Sequence, residues 1–396
     1  MLPHMNQPAS RWPAVAAFMA VVAATQVAWV MLAPVTTVAA EHYRVSTDDI
    51  GWSAQAFPLL YVVLAIPAGI VLDRWFRGGL AAGALLTAIG SVLRLIGDDY
   101  TWVLCGQIVI AVAQPLVLNA ITGLAVNYLS ERDRPLGIAL GSASNYGGMV
   151  IAFGLGAVLS TSADLRTLIW IGTIISLVSC VALLVALRRP GGYAREEATA
   201  GLSGVVDAVR HAFVPPLLAL VALGFGVSIA LMTWLQALVE PAGVSAGAAS
   251  VILLAFVVAG AIGSCVIAPV VARRGVQVRF FLVAVAAATV SCLVMAIAPG
   301  TMTGVITMAV TGAALLTALP VVLEIVERRL TKEANTAAGL VWMAGNVGGF
   351  AVAAVTGGLI GSPSLAFVML AVVAALGAPS VALLTIKLRQ RTTTPA

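Results

Sequence analysis

The sequence predicts an all-α membrane protein, with twelve transmembrane helices in two pseudo-symmetric six-helix bundles, and three observations lead there. Hydrophobic residues make up 61% of the 396-residue chain and charged residues only 9%, so nearly every element must face lipid or another apolar helix. Apolar runs of about 20 residues recur, the length of a helix crossing a ~30 Å hydrocarbon core, and the alternating ~10-residue pattern of a barrel strand is missing. The longest polar stretch, from Arg188 to about His211, leaves six such runs on either side.

The runs place spans one to twelve at 13–36, 50–72, 79–97, 101–128, 135–160, 165–187, 216–239, 245–272, 277–298, 302–326, 335–360 and 364–387. Val38-Ala39-Ala40 resembles a signal-cleavage site, but removing span one would leave an odd count and invert the charge bias, so the segment is expected to be retained. Pro190 with Gly191 and Gly192 ends span six, and Leu202 to Phe213 reads as a short amphipathic helix on the membrane face. The expected organisation is a six-helix bundle over 1–187, a cytoplasmic linker over 188–215 and a second bundle over 216–396. Of 21 Lys and Arg residues, all but Arg44, Arg94 and Arg166 fall in the tails and alternate turns. By the positive-inside rule that side, with both termini, is cytoplasmic in a cell membrane.

The net charge of +5 sits in short turns with no basic, aromatic-lined groove, so the lipid bilayer and not nucleic acid is the expected polyanionic partner. Cys105, Cys180, Cys265 and Cys292 lie in apolar spans without ligand spacing and read as small core residues. His4, His42 and His211 lie in tails or loops. No nucleophile-base set, metal motif or phosphate loop is present. Neither an enzyme, a metal site nor a cofactor is expected.

A faint repeat relates the halves. Pro115-Leu-Val-Leu-Asn119 answers Pro320-Val-Val-Leu-Glu324, and Gly137 with Asn145-Tyr-Gly147-Gly148 answers Gly339 with Asn346-Val-Gly348-Gly349. Two repeated membrane halves place a substrate near mid-bilayer between them, and the small residues allow the close backbone approach that a rocking interface requires, although ordinary tight packing would use them too.

The turn Gly69-Ile-Val-Leu-Asp73-Arg74-Trp75-Phe76-Arg77 sets an acid among arginines between two spans. Paired with Arg74, Arg77 or a neighbouring helix end, Asp73 would lock that side as a gate; alternatively the turn is a basic anchor with an incidental acid. It resembles the loop signature of the major facilitator superfamily, G-x-x-x-D-R/K-x-G-R, with Phe76 in place of the second glycine. The matching turn of the second half, Ala272-Arg273-Arg274, lacks the acid. Together with the helix count, central loop and half repeat, this resemblance covers the whole chain and implies the major facilitator fold.

In proton-coupled exporters of that superfamily span four carries an arginine; here the stretch reads Leu104-Cys-Gly-Gln107 and the buried cation is absent. Glu324 alone among 16 acids lies clearly inside a span. It is structural and protonated, paired with Arg328 one turn on, or a cation attractor.

Several segments resemble the feline leukaemia virus subgroup C receptor-related family of choline, ethanolamine and haem-linked transporters. These are Gln26-Val-Ala-Trp29, the spacing of Trp52, Tyr61, Pro67 and Asp73, and Pro320 to Glu324 followed by Thr336-Ala-Ala-Gly339-Leu340. The resemblance implies an aromatic box around a quaternary ammonium, with Trp29 as its span-one wall and Gln114 as the span-four amide. Asn346 stands where the family has glutamine, and Met232-Thr233-Trp234 where it has tyrosine, so the second wall is displaced to Trp234 or missing. Independently of the family, a Trp face attracts a desolvated cation while neutral amides orient it without burying an anion.

The reading is an alternating-access carrier, a monomer, of a small polar or cationic organic solute, facilitative or weakly coupled. Its substrate-binding candidates are Trp29, Gln26, Tyr61, Gln114, Asn119, Asn145, Tyr146, Trp234, Trp342 and Asn346; its gate or coupling candidates are Asp73, Arg74, Arg77 and Glu324. The rivals are a proton-coupled drug or metabolite exporter and a receptor that binds without transporting.

Overall fold

A computed structural model describes residues 10–193, 209–330 and 334–390. Among these, no strand occurs and twelve helices are long and apolar enough to cross a membrane. They are spans one (Trp12–Tyr43), two (Thr47–Arg74), three (Phe76–Leu93), four (Tyr100–Leu118), five (Leu136–Val158) and six (Ser162–Leu187). The second six are seven (Val214–Ala242), eight (Ala246–Arg274), nine (Gln277–Ile297), ten (Thr301–Val326), eleven (Ala337–Gly357) and twelve (Pro363–Lys387). Most of the expected linker helix, 202–213, lies outside the described residues.

Local chemistry sets the ends. Asp99 caps span four, its carboxylate accepting from the backbone N–H groups of Thr101 at 2.9 Å and Trp102 at 3.3 Å, and Ser245 does the same for span eight through Ala248 at 3.3 Å. Span eight stops at Gly275, whose φ of 64° is the left-handed geometry that glycine adopts without cost.

Span one differs most from its expected limits. Its helix runs over Trp12–Val30, gives way to a 3-10 turn at Ala33–Val35 and resumes over Thr36–Tyr43. Pro34 is the cause: it has no N–H, so the carbonyl four residues earlier loses its partner and the helix cannot run through. The Thr36 hydroxyl turns back to the carbonyls of Ala33 at 2.9 Å and Leu32 at 3.3 Å, and the helix then continues past 36 until Arg44 closes it in a left-handed conformation. Span four likewise carries Pro115 and divides at Asn119 into Tyr100–Leu118 and Ala120–Tyr128.

The chain groups into two compact units. One comprises 1–31, 63–152 and 163–198; the other comprises 32–62, 153–162 and 199–396. The segment of span one after its break, the first part of span two and the end of span five thus belong with spans seven to twelve. The first unit's core is built from Val15, Phe18, Val22, Leu80, Val117, Leu124 and Leu183. The second unit's is built from Leu217, Val221, Phe281, Val322, Val341 and Leu384.

Glycines set the helix crossings inside each unit. In the first, a methyl group at Gly148 of span five would collide with the Ala23 carbonyl and the Gln26 side chain of span one, and spans three and four touch backbone to backbone at Gly90 and Gly106. In the second, Gly348 of span eleven meets Ala222 of span seven in the same way, and Gly312 of span ten meets Phe256 of span eight. The repeat is therefore physical: span five lies on span one as span eleven lies on span seven. The contact falls on the last glycine of the first motif and on the one before last in the second.

Not every glycine of these motifs is so constrained, since a side chain at Gly147 or Gly339 would meet nothing within 4 Å. Gly148→Val and Gly348→Val should each lower the thermal midpoint of the purified protein, overpacking costing about 1–3 kcal/mol or more. Gly147→Ala and Gly339→Ala should leave it unchanged or raised, and a neutral Gly348→Val would contradict the crossing.

Candidate functional site

Span one comes out of its helix at Val30, and the last turn leaves carbonyls that no later N–H can reach. Inside a bilayer such groups must be satisfied by the protein itself. Two side chains do this. Arg94, at the end of span three and 3% exposed, donates through Nη2 to the Ala28 carbonyl at 2.9 Å and to Oε1 of Gln107, and its Nη1 lies 3.2 Å from the Met31 sulfur. Gln107 of span four, 2% exposed, donates through Nε2 to the Trp29 carbonyl at 3.2 Å. A guanidinium at a helix C-terminus also faces the negative end of the helix dipole.

This cluster corrects the sequence reading that a buried cation is absent. Span four carries none, but span three supplies one directly against Gln107. The signal was available: Arg94 falls inside a predicted span, where an ionisable residue is expected to have a role. Gly106, next to Gln107, presses on the Arg94 side chain, so the crossing of spans three and four and the seating of the arginine are one arrangement.

Of the first unit's candidates, Gln26 is 1%, Gln114 3% and Trp29 9% exposed. Asn145 stands one turn before Gly148 on span five, on the face that meets span one. Its Oδ1 is buried and accepts no hydrogen bond. Tyr146 beside it is half-buried, whereas Asn119 is exposed and donates to the Ala65 carbonyl of span two at 3.1 Å.

The candidates of the second unit are arranged differently. Trp234 is 0% exposed, its indole N–H donating to the Ala353 carbonyl at 2.8 Å and its ring seated on Gly51 and Gly357. It serves there as a wedge between spans two, seven and eleven and presents no surface to a ligand. Asn346 donates to the Trp342 carbonyl at 2.9 Å, and Trp342 meets Phe225 edge-on with centroids 6.0 Å apart. Tyr61 is buried. Residues that sequence reasoning missed hold the segment after the break: Gln236 of span seven accepts from the Thr37 N–H at 2.8 Å and donates to its hydroxyl at 2.7 Å, while Gln55 donates to Thr233 at 2.9 Å.

In the arginine turn, Arg77 donates to the carbonyls of Leu187 and, at 3.2 Å, Arg188, where span six ends. Orphaned helix-end carbonyls attract a forked donor for the same reason as at span one. Phe76, in place of the usual glycine, lays its ring on Gly123 of span four. Asp73 and Arg74 are exposed. Glu324 pairs with Arg328 one turn on, and Gln277 of span nine donates to its other oxygen at 3.4 Å.

Residues 16–353 match the Major Facilitator Superfamily. The chain belongs to that superfamily. It is a multi-pass membrane protein. It is 28% identical over 287 residues to solute carrier family 49 member A3 of Danio rerio, covering 68% of this chain and 60% of that protein. It is 25% identical over 264 residues to the choline/ethanolamine transporter FLVCR1 of Felis catus, covering 60% of this chain and 47% of that one. The matches thus span about half the length of these relatives, and they agree with the resemblance carried by Trp29, Glu324 and Gly339. In fold the chain resembles a mutant form of the nucleoside transporter NupG, with a TM-score of 0.73 at 14% identity over 94% of this chain and 99% of that one.

Arg94→Met should lower the thermal midpoint in detergent by an amount equivalent to about 2–4 kcal/mol, because buried carbonyls and Gln107 lose a charged donor together. Arg94→Lys should recover only part of this, since an ammonium lacks the fork that reaches two acceptors at once. Equal stability of all three proteins would show that the carbonyls of span one need no cap.

Proposed function

We propose that this chain is an alternating-access carrier of a small polar or cationic organic solute of the amino-alcohol kind, working by facilitated or weakly coupled transport. The observation that carries the reading is Asn145: a buried carbonyl oxygen with no protein donor, on the face of span five that meets span one. A buried acceptor left open costs free energy unless a ligand fills it. A solute with an ammonium or hydroxyl hydrogen supplies that donor.

The surroundings support a cation of low polarity. Gln26 and Gln114 are neutral, and the guanidinium of Arg94 is turned to the Ala28 carbonyl and Gln107. Trp29 offers an aromatic face worth about 2 kcal/mol or more to a desolvated cation. Choline and ethanolamine, named for the feline relative, have this chemistry. We place both termini on the cytoplasmic side, from the arginine-rich turns, take the working unit to be a monomer, and assign Asp73 and Arg74 to the cytoplasmic gate.

Weak coupling rests on Glu324. An arginine one turn away and an amide at its other oxygen engage both oxygens of the carboxylate, leaving neither open to a relay partner.

Uptake of radiolabelled ethanolamine and choline into proteoliposomes tests the reading. Trp29→Ala should weaken apparent affinity roughly thirtyfold, the equivalent of about 2 kcal/mol, and Asn145→Leu should weaken ethanolamine more than choline. Wild-type protein that moves neither solute overturns the substrate class. In the same vesicles an imposed pH gradient should change the rate little, and Glu324→Gln should keep transport. A strong gradient dependence lost in that variant would establish the proton-coupled exporter instead.

A further inference from the structure

The arginine-rich end of the first unit contains a cavity of about 570 Å³ that the transport reading does not use. Trp75 and Phe76 of the turn between spans two and three form one wall, Asn127 and Tyr128 at the end of span four another, and Pro190 and Gly191 after span six a third, with Arg77 and Gly78 between them. All three walls lie at the ends of apolar runs, at the depth of lipid headgroups.

Its charge is one-sided. Arg77 caps the carbonyls of Leu187 and Arg188, and Arg11 donates to those of Arg189 at 2.6 Å, Pro190 at 3.0 Å and Ala186 at 3.2 Å. The Arg11 guanidinium also lies 5.4 Å from the centre of the Tyr128 ring. Among the described residues neither arginine is paired with a carboxylate. The end of span six offsets roughly half a charge, so two guanidiniums leave a net positive site.

Tyr128 is the second sign. It is 1% exposed, and its hydroxyl, on the cavity wall, lies within reach of the Arg77 guanidinium, which can only donate to it, so the hydroxyl hydrogen is left without an acceptor. A buried hydroxyl donor next to unneutralised cations is completed by an anion. Beside it Trp75 is 69% exposed, an amphipathic ring at the height where such rings meet headgroups and the first acyl carbons.

We propose that this cavity binds the phosphate of an anionic phospholipid from the adjoining leaflet, with Arg77 and the Tyr128 hydroxyl on the phosphate and Trp75 and Phe76 against the glycerol and upper acyl chain. The bound lipid ties the turn between spans two and three to the ends of spans four and six. The site concerns lipid and is independent of which solute is carried.

The test uses the purified full chain in micelles, with thermal unfolding and native mass spectrometry as readouts. Dioleoyl phosphatidylglycerol, dioleoyl phosphatidylcholine and glycerol 3-phosphate are the three probes. Phosphatidylglycerol should raise the unfolding temperature and remain bound under activation that strips phosphatidylcholine, and glycerol 3-phosphate should do neither. Removing Arg77 would also uncap span six, so two other variants carry the decision.

A Cβ at Gly78 meets only the Trp75 Cβ, at 3.8 Å, so Gly78→Phe can place its ring in the cavity that Gly78 lines. It should weaken phosphatidylglycerol binding about tenfold, equivalent to 1.4 kcal/mol, with the lipid-free midpoint unchanged. Tyr128→Phe should weaken it severalfold. Equal retention of the two lipids by the wild type, or undiminished phosphatidylglycerol binding in both variants, overturns the site. Equal stabilisation by glycerol 3-phosphate would assign the cavity to a soluble phosphate compound and overturn the lipid.

Discussion

A membrane interior offers no water, so a helix that breaks inside it must find protein partners for every carbonyl it releases. Span one breaks at Met31 to Val35 because of Pro34, and much of the first unit is arranged around that fact. Arg94 and Gln107 take the freed carbonyls of Ala28 and Trp29, which fixes spans three and four against span one. The glycine contact between Gly90 and Gly106 lets the two supplying helices come close enough to do so. The chain leaves one compact unit at Met31 and enters the other at Leu32, so the capped end is also where span one passes between them. A carrier whose helices must bend at defined points needs such points held without strain.

The same solution recurs at span six, where Arg11 and Arg77 cap the last turn. Forked cations at helix ends thus serve as fasteners, and the glycine crossings serve as bearings: Gly148 on Ala23 in one unit, Gly348 on Ala222 in the other. Between fasteners and bearings lie the amides. Some are closed, as Gln236 with Thr37 and Asn346 with Trp342. Asn145 is open, its buried Oδ1 accepting no hydrogen bond, and for that reason we propose it as a contact of the solute.

Much of the fold was legible in the sequence because the bilayer imposes a length and a composition on every element, and twelve apolar runs of that length can hardly be read otherwise. The repeat was legible through Asn145 to Gly148 and Asn346 to Gly349, since close backbone approach admits only small residues. What lay hidden were pairings between distant segments. Arg94 stands in an apolar run, yet nothing in one chain of letters says that it meets Gln107 and the end of span one. Trp234 reads as a candidate ligand wall because it neighbours the position of a family aromatic; only its seat on Gly51 and Gly357 shows a wedge. Arg77 reads as a partner of Asp73 by proximity in sequence, and nothing in that proximity shows its bond to the Leu187 carbonyl at the end of span six, 110 residues on.

The account depends on Arg94 and Gln107 acting as a single cap, and a double-mutant cycle measures that most directly. Unfolding free energies of the wild type, Arg94→Met, Gln107→Met and the double variant should give a coupling of about 1–3 kcal/mol, the double variant losing far less than the sum of the singles. Strictly additive losses would mean that the two side chains act separately and that the break in span one is held by something else.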